Sequence, residues 1–238
     1  MTYINLNHQQ STINKNIIMM KNLKFNVILL VCLLSVYKVL AQESNSNRDY
    51  KKFYLKPYAG FIGIQDMSLQ LVKNTQTTNI EVDNGFGFTT GISLGYNFTE
   101  NITAEVGWEY KTNDITIENN SVKSSGDYAS NFIYLNGIYN FSTNSRFKPY
   151  LGLGFSLIQE IDIDFGDGNN TSFSESGNIG FQGIVGLDFN FSQKWALNWE
   201  AKYVTFSEFD MKNEANDDQL NNLKYNPFIF NVGIKYRF

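Results

Sequence analysis

The stretch Ile102-Thr-Ala-Glu-Val-Gly-Trp-Glu-Tyr110 alternates between two kinds of side chain. One set is apolar or aromatic and comprises Ile102, Ala104, Val106, Trp108 and Tyr110, whereas the other comprises Thr103, Glu105, Gly107 and Glu109. A period of two residues places the two sets on opposite faces of a β-strand. Residues 195–203 and 228–238 repeat the pattern, and no segment after residue 52 shows sustained helical periodicity. The sequence therefore predicts an all-β protein.

Eight alternating runs follow one another along the chain, at about 53–64, 86–98, 102–112, 128–141, 147–161, 177–191, 195–209 and 225–238. The connections between them alternate in length. Those at 99–101, 142–146 and 192–194 are short, whereas those at 65–85, 113–127, 162–176 and 210–224 are long and polar. This order indicates an antiparallel up-and-down sheet with all tight turns at one end.

The run lengths match a membrane better than an aqueous fold. Each run reaches the ~9–11 residues that a tilted strand needs to cross a bilayer. Even strand number, short periplasmic turns and long outer loops are typical of transmembrane β-barrels. We therefore expect an eight-stranded antiparallel up-and-down transmembrane β-barrel with long extracellular loops. The alternative is a soluble β-sandwich in which one face of each sheet is exposed to water. Such sandwiches do not usually alternate short and long connections so regularly.

The two faces of the runs decide what lies inside. An eight-stranded barrel encloses room only for its own side chains, so the small, glycine-rich face should point inward. The bulky apolar face then points outward, where lipid stabilises it and water would not. Aromatic residues at strand ends should form an interfacial belt on the short-turn side: Phe53, Tyr54, Tyr96, Phe98, Tyr139, Phe141, Phe147, Phe189, Phe191, Trp195, Tyr236 and Phe238.

The first 41 residues have the layout of a secretory signal peptide. Lys21 and Lys24 precede an apolar run too short to span a membrane, and Ala41 followed by Gln42 provides a small-residue cleavage site. We expect residues 1–18 to lie upstream of the true start, 19–41 to be the signal peptide, 42–52 a periplasmic segment and 53–238 the barrel. Cys32 as a lipoprotein cysteine is an alternative, which the large Val31 before it disfavours.

Several motifs resemble the small outer-membrane β-barrels of Gram-negative bacteria, the group with OmpA-like, OmpX-like and OmpW-like domains. They are Lys56-Pro57-Tyr58-Ala59-Gly60, Lys148-Pro149-Tyr150-Leu151-Gly152, the hairpin from Gly186 to Tyr203, and the ending Gly233-Ile234-Lys235-Tyr236-Arg237-Phe238. The resemblance implies that Tyr236 and Phe238 belong to the signal read by the outer-membrane assembly machinery. It also implies a location in the outer membrane of a Gram-negative bacterium.

The inward face carries charges of both signs. The basic residues are Lys56, Lys111, Lys148, Lys202, Lys235 and Arg237, and the acidic ones are Glu105, Glu109, Glu160, Asp188, Glu200 and Glu208. Buried charges persist when they are paired and hydrogen-bonded. We therefore expect an ionic network in the lumen that packs the interior, with a polar path or gate as the alternative reading.

Composition excludes several other functions. The acidic residues all follow residue 41 and the formal net charge is −4, which argues against nucleic acid as a partner. His8 is the only histidine, so the predicted barrel has no histidine that could serve in a Ser-His-acid catalytic mechanism. There is neither a glycine-rich phosphate loop nor a Cys/His metal spacing. The sequence thus predicts a protein that is not an enzyme and has no cofactor or metal.

Three functional hypotheses remain. The first is a structural or surface-interaction barrel that stabilises the membrane or presents loops for adhesion or ligand binding. The second is a narrow channel for small polar or hydrophobic molecules, which inward-facing Ile62, Ile64, Phe132, Ile158 and Phe206 suggest. The third is an accessory subunit of a secretion machine. The expected partners are outer-membrane lipids, lipopolysaccharide and the assembly machinery, and we expect a monomer.

Overall fold

The computed structural model describes residues 52–73, 76–119, 122–165, 171–213 and 217–238. The predicted signal region, with Ala41 and Gln42, lies outside them. Within the described residues no helix is long and apolar enough to cross a membrane. The strands are β1 (Phe53–Gly63), β2 (Met67–Lys73), β3 (Gln76–Asn97), β4 (Ile102–Asn119), β5 (Val122–Asn140), β6 (Phe147–Phe165), β7 (Thr171–Glu175), β8 (Ile179–Asn190), β9 (Trp195–Phe206), β10 (Phe209–Asn213), β11 (Gln219–Leu223) and β12 (Phe228–Arg237).

The strand pairings are antiparallel, and their order closes on itself. Strand β1 pairs with β12 on one side and with β3 on the other. The neighbours therefore run β1, β12, β9, β8, β6, β5, β4, β3 and back to β1. We call these strands the main ring. They hold the alternating runs found in the sequence, because a period of two suits a strand whose faces meet different surroundings.

The sheet has twelve strands in the described residues, more than the eight that the sequence predicts, and four of them lie where long polar loops were expected, so the predicted number of strands is not confirmed. Strands β2, β7 and β11 lie within the predicted loops, and β10 lies there except for Phe209, the last residue of a predicted run. Strands β3 to β6 continue past their pairing in the main ring. Starting from β3, the neighbours run β2, β11, β10, β7, β6, β5, β4 and back to β3. We call these strands the extension ring. The segments that form the extension ring are mostly polar, but single apolar residues in them, such as Leu69, Ile80 and Val82, point inward and are buried.

Side chains of the main ring alternate between a buried interior and an exposed outer face. Strand β12 shows it residue by residue, with Ile229 and Asn231 buried while Phe228 and Phe230 are exposed. The outward set is the apolar one: Trp108, for example, keeps 44% of its surface exposed. Such exposure of large apolar side chains is unfavourable in water and favourable in lipid.

One β-bulge changes which residues face inward. The register between β5 and β6 shifts between Asn131 and Phe132, whose partners are Glu160 and Ile158. Beyond the shift Ile161 is buried, whereas Glu160 is exposed. The expectation that Glu160 faces the lumen is therefore wrong, because the extra residue of a bulge moves every later side chain to the opposite face.

The short connections are closed by hydroxyl groups. Thr99 Oγ1 accepts hydrogen bonds from the backbone N–H groups of Asn101 (3.2 Å) and Ile102 (3.0 Å). Ser192 Oγ accepts from those of Lys194 (3.2 Å) and Trp195 (2.9 Å). Ser and Thr favour such turns because the hydroxyl satisfies backbone donors that the strands leave unpaired.

Candidate functional site

A network of buried charges fills the short-turn half of the main ring. Lys56 Nζ lies 3.0 Å from Glu105 Oε2 and 2.9 Å from Glu200 Oε2. Lys111 Nζ lies 3.0 Å from Glu109, which also pairs with Lys202. Asp188 pairs with Lys235 and Arg237. We call these nine residues the ionic plug: Lys56, Glu105, Glu109, Lys111, Asp188, Glu200, Lys202, Lys235 and Arg237.

Tyrosine hydroxyls complete the ionic plug by donating hydrogen bonds to its carboxylates. Tyr54 donates to Glu105 (2.7 Å), Tyr58 to Glu109 (2.9 Å) and Tyr150 to Glu200 (2.6 Å). The Asn198 amide donates to Asp188 (2.7 Å), so each of the four carboxylates has both a cation and a neutral donor, the condition under which a buried charge is tolerated.

The sequence analysis missed these tyrosines, and it wrongly placed Tyr54 in the outer aromatic belt. Tyr54 is buried. A signal was nevertheless present, because Tyr54 and Tyr58 share the alternation of Lys56 and Gly60, which were placed inside. The aromatic character of tyrosine suggested the lipid face, but its hydroxyl suits a polar interior equally well.

Two further charges predicted for the lumen lie elsewhere. Lys148 is half-buried and donates to the backbone carbonyl of Thr143, since its long side chain reaches the adjacent short turn. Glu208 is exposed and pairs with Lys224 at 3.0 Å on the surface. Tyr236 and Phe238 form an aromatic pair with ring centroids 5.2 Å apart at the short-turn end. Their role in membrane insertion stays a prediction.

Inward glycines make room for the tyrosine rings of the ionic plug. A Cβ atom on Gly186 would lie 2.0 Å from Cζ of Tyr150, and one on Gly95 would lie 2.1 Å from Cζ of Tyr54. The Tyr150 ring cannot move away freely, because its hydroxyl donates to Glu200 and accepts from Asn198 (2.9 Å).

We expect Gly186→Ala to lower the free energy of unfolding by about 1–3 kcal/mol, the usual range for overpacking a filled interior. Gly183→Ala on the same strand is the matched control, because a Cβ there meets nothing within 4 Å. Urea unfolding in lipid vesicles measures both. Equal stabilities of the two variants would show that the Tyr150 ring does not require a glycine opposite.

Above the ionic plug, at the long-connection end, the interior becomes apolar. Both rings contribute buried apolar side chains, each at most 7% exposed, to one packed cluster, for which we use the name apolar chamber. Its members are Ile62, Ile64, Leu69, Ile80, Val82, Ile115, Tyr128, Phe132, Ile158, Ile161, Ile163, Phe173, Val204, Phe206, Phe209, Met211, Leu220, Leu223, Tyr225 and Ile229. An apolar interior is the opposite of the polar lumen of water-filled barrels.

Four aromatic rings form the floor of the apolar chamber. Tyr225 stacks on Tyr128 with centroids 5.4 Å apart, and it lies 5.9 Å from Phe132 and 5.7 Å from Phe206. We call these four residues the aromatic box. Lys111 Nζ lies 3.6 Å from the centre of the Phe132 ring, so the aromatic box rests directly on the ionic plug through a cation–π contact.

The wall beside the apolar chamber is interrupted where the two rings join. The β1–β12 ladder ends at Gly63 and Phe228, whereas the β2–β11 ladder begins only at Gln70 and Asn221. Between them lies a polar recess of about 540 Å³, lined by Gln65, Asp66, Ser68, Glu208, Asn222, Lys224 and Asn226. We call it the wall recess. Tyr225 belongs to the same connection, so the wall recess and the aromatic box are neighbours.

A closed antiparallel sheet with a lipid-compatible outer face and a charged interior defines an integral outer-membrane β-barrel. The chain belongs to the family described as "Outer membrane protein beta-barrel domain", whose model matches residues 27–238. It is therefore a protein of the outer membrane of Gram-negative bacteria.

Individual relatives agree with this assignment. The chain is 27% identical over 157 residues to outer membrane protein W of Vibrio cholerae, covering 62% of this chain and 72% of that one. It is 24% identical over 162 residues to outer membrane protein W of Escherichia coli, covering 65% and 76%. The crystal structure of OprG from Pseudomonas aeruginosa has a similar fold, with a TM-score of 0.64, 16% identity and coverage of 79% and 96%.

Proposed function

We propose that the eight strands of the main ring cross the outer membrane, with the short turns in the periplasm and the extension ring outside. The shortest of them, β12, has 10 residues, within the ~9–11 that a tilted strand needs. Every strand of the main ring presents an exposed apolar side chain, and these include Phe61, Ile92, Trp108, Leu135, Leu153, Val185, Tyr203 and Phe230. Because every strand of the main ring has an outer face suited to lipid, we expect the protein to be a monomer.

We further propose that the protein is a non-enzymatic channel that takes small apolar molecules from outside into the apolar chamber. The observation that carries the proposal is the change of the interior from an ionic plug to a continuous cluster of buried apolar side chains at the extracellular end. A water-filled pore requires polar walls, whereas an apolar solute is stabilised by apolar ones.

We propose that the solute leaves the barrel through its side wall and not along its axis. The axial path meets the ionic plug, whose Lys56, Glu105 and Lys202 are buried and paired. The lining of the wall recess begins at Gln65, a few residues after the outward-facing Phe61, and includes Asn226 shortly before the outward-facing Phe228. A solute that passes Tyr225 would thus reach the wall at the upper edge of the apolar outer face.

Transport in vesicles tests the proposed channel. We expect proteoliposomes to accumulate an apolar fluorophore faster than protein-free liposomes, while the same protein in planar bilayers gives no steady single-channel conductance. The ionic plug accounts for the second result, since a packed lumen excludes hydrated ions. Steady conductance would refute the closed axial path, and unchanged fluorophore uptake would refute the apolar channel.

A structural or surface-interaction role is the second candidate. Two features favour it: the packed ionic plug blocks the axial path, and the extension of the barrel by β2, β7, β10 and β11 projects the protein above the membrane. A structural role predicts that proteoliposomes show neither fluorophore uptake nor conductance. It also predicts that removing the protein from cells impairs the integrity of the outer membrane.

A further inference from the structure

A groove crosses the outer face of the main ring over β5, β6, β8 and β9. Its volume is about 770 Å³, and the side chains around it are almost all apolar. Two glycines open it: a Cβ atom on Gly183 would meet nothing within 4 Å, and one on Gly137 would meet only a backbone oxygen, at 3.9 Å. The exposed Leu153 stands between the two glycines. We call this cavity the outer groove.

The outer groove climbs obliquely from the short turns toward the long connections. Its members face one another along one pairing row, in the order Gly137, Leu153, Gly183, Tyr203 and Phe228. Gly137 lies near the short-turn end of β5, whereas Phe228 is the first residue of β12 at the opposite end. Pairing rows climb in this way because the strands of a barrel are tilted. With the short turns in the periplasm, the Phe228 end of the outer groove lies in the outer leaflet.

The polar wall recess begins where the outer groove ends. Phe228 lines the outer groove, and Asn226, two residues earlier, lines the wall recess. Among the lining residues of the wall recess, the carboxylates of Asp66 and Glu208 outnumber the ammonium group of Lys224, which already lies 3.0 Å from Glu208. An anionic head group is therefore disfavoured there. Carboxylates and side-chain amides instead match the hydroxyl groups of a neutral sugar, which both donate and accept hydrogen bonds.

The shape of the outer groove favours a flexible chain over a second copy of the protein. In a two-fold dimer the same surface patch meets itself, so a groove would face a groove and stay unfilled. The outer groove is continuous with the lipid-compatible outer face, since the exposed Leu151 and Val185 belong to both. An acyl chain can thus enter it from the bilayer without leaving apolar surroundings.

We propose that the outer groove and the wall recess together bind one glycolipid of the outer leaflet. Its acyl chain lies in the outer groove, and its neutral sugar head group binds the amides and carboxylates of the wall recess. This site is on the outside of the barrel and goes beyond the proposed channel, since it relies only on the orientation of the main ring. A bound head group lies at the proposed exit and competes there with a departing solute.

Photolabelling of the protein in lipid nanodiscs tests this site. Two probes carry the same diazirine-labelled acyl chain, one with a glucose head group and the other with phosphoethanolamine. We expect the glucolipid to label peptides containing Leu153 and Tyr203 about fivefold more than the phospholipid does, the ratio that one additional net hydrogen bond provides. Peptides containing the exposed Ile92 and Leu94 of β3, away from the outer groove, should be labelled equally by both probes.

Three variants complete the test. Gly183→Leu fills the outer groove and should abolish its labelling, whereas Val232→Leu, on the outer face of β12 away from the outer groove, is the matched control. Gln65→Ala removes an amide from the wall recess and should lower labelling by the glucolipid alone. Heat-dependent gel mobility verifies that each variant is folded.

Three results would overturn the proposal. The first is equal labelling of the outer groove by the two probes, and the second is wild-type labelling of Gly183→Leu. The third is an unlabelled groove in a protein that chemical crosslinking shows to be a dimer, which would assign the groove to a second copy. Labelling requires no transport, so its outcome is independent of the uptake assay.

Discussion

Replacing Lys56 by methionine is expected to lower the free energy of unfolding by about 3–5 kcal/mol, the range for removing one partner of a buried ion pair. Lys56 Nζ lies 3.0 Å from Glu105 and 2.9 Å from Glu200, and all three residues are buried. Without the ammonium group, two carboxylates share the lumen with only neutral donors bonded to them, namely Tyr54 and Asn136 at Glu105 and Tyr150 at Glu200. Urea unfolding in lipid vesicles, followed by tryptophan fluorescence, measures the change.

Two further variants give this prediction its controls. Lys224→Met breaks an ion pair of the same length, 3.0 Å to Glu208, but the lysine side chain is 64% exposed. Its effect should be at most about 1 kcal/mol, as for surface pairs in general. Adding Glu105→Gln and Glu200→Gln to Lys56→Met should restore part of the lost stability. Equal effects of the buried and the surface lysine would mean that water reaches the ionic plug.

Replacing Phe132 by aspartate is expected to reduce apolar uptake more than tenfold. Phe132 is fully buried between Tyr225 and Phe206, with centroids 5.9 Å from each. A carboxylate there would place a charged group beside Lys111 in the path of an apolar solute, and the cost of bringing an apolar solute against charged groups far exceeds a tenfold effect. The initial rate of fluorophore uptake into proteoliposomes, at equal amounts of inserted protein, measures the change.

The matched control keeps the site apolar. Phe132→Leu removes the ring without adding charge, so uptake should remain within a few-fold of the wild-type rate. Because Lys111 lies 3.6 Å from the Phe132 ring, the aspartate variant also needs a folding check by gel mobility before and after heating. Wild-type uptake by a folded aspartate variant would place the route outside the aromatic box.

The alternation of side chains was sufficient to predict both faces of the main ring. Trp108 and Phe230 lie on the outer face, and Glu105 and Lys202 lie inside. A period of two divides each strand into two faces, and the small interior of the barrel decides which face points inward. Glu160 shows the limit of this argument. A bulge inserts one residue without a sequence signal that can be recognised locally, and the assignment beyond it is reversed.

Other features depended on contacts between residues distant in sequence. The extension ring escaped prediction because β7, β10 and β11 have five residues each and a polar outer face. The ionic plug was foreseen as a set of charges, but its pairing was not: Lys56 and Glu200 are 144 positions apart. Tyr128 of β5 and Tyr225 of the connection before β12 are likewise far apart in sequence, and only the closed pairing brings them together.

Crystals soaked with bromine-labelled octanol test the central claim most directly, because anomalous scattering locates the bromine independently of the protein. We predict a bromine peak inside the barrel, in the apolar chamber on the extracellular side of the aromatic box formed by Tyr128, Phe132, Phe206 and Tyr225. Bromine only on the outer apolar face, with the chamber side chains unmoved, would contradict the account and leave a sealed structural barrel.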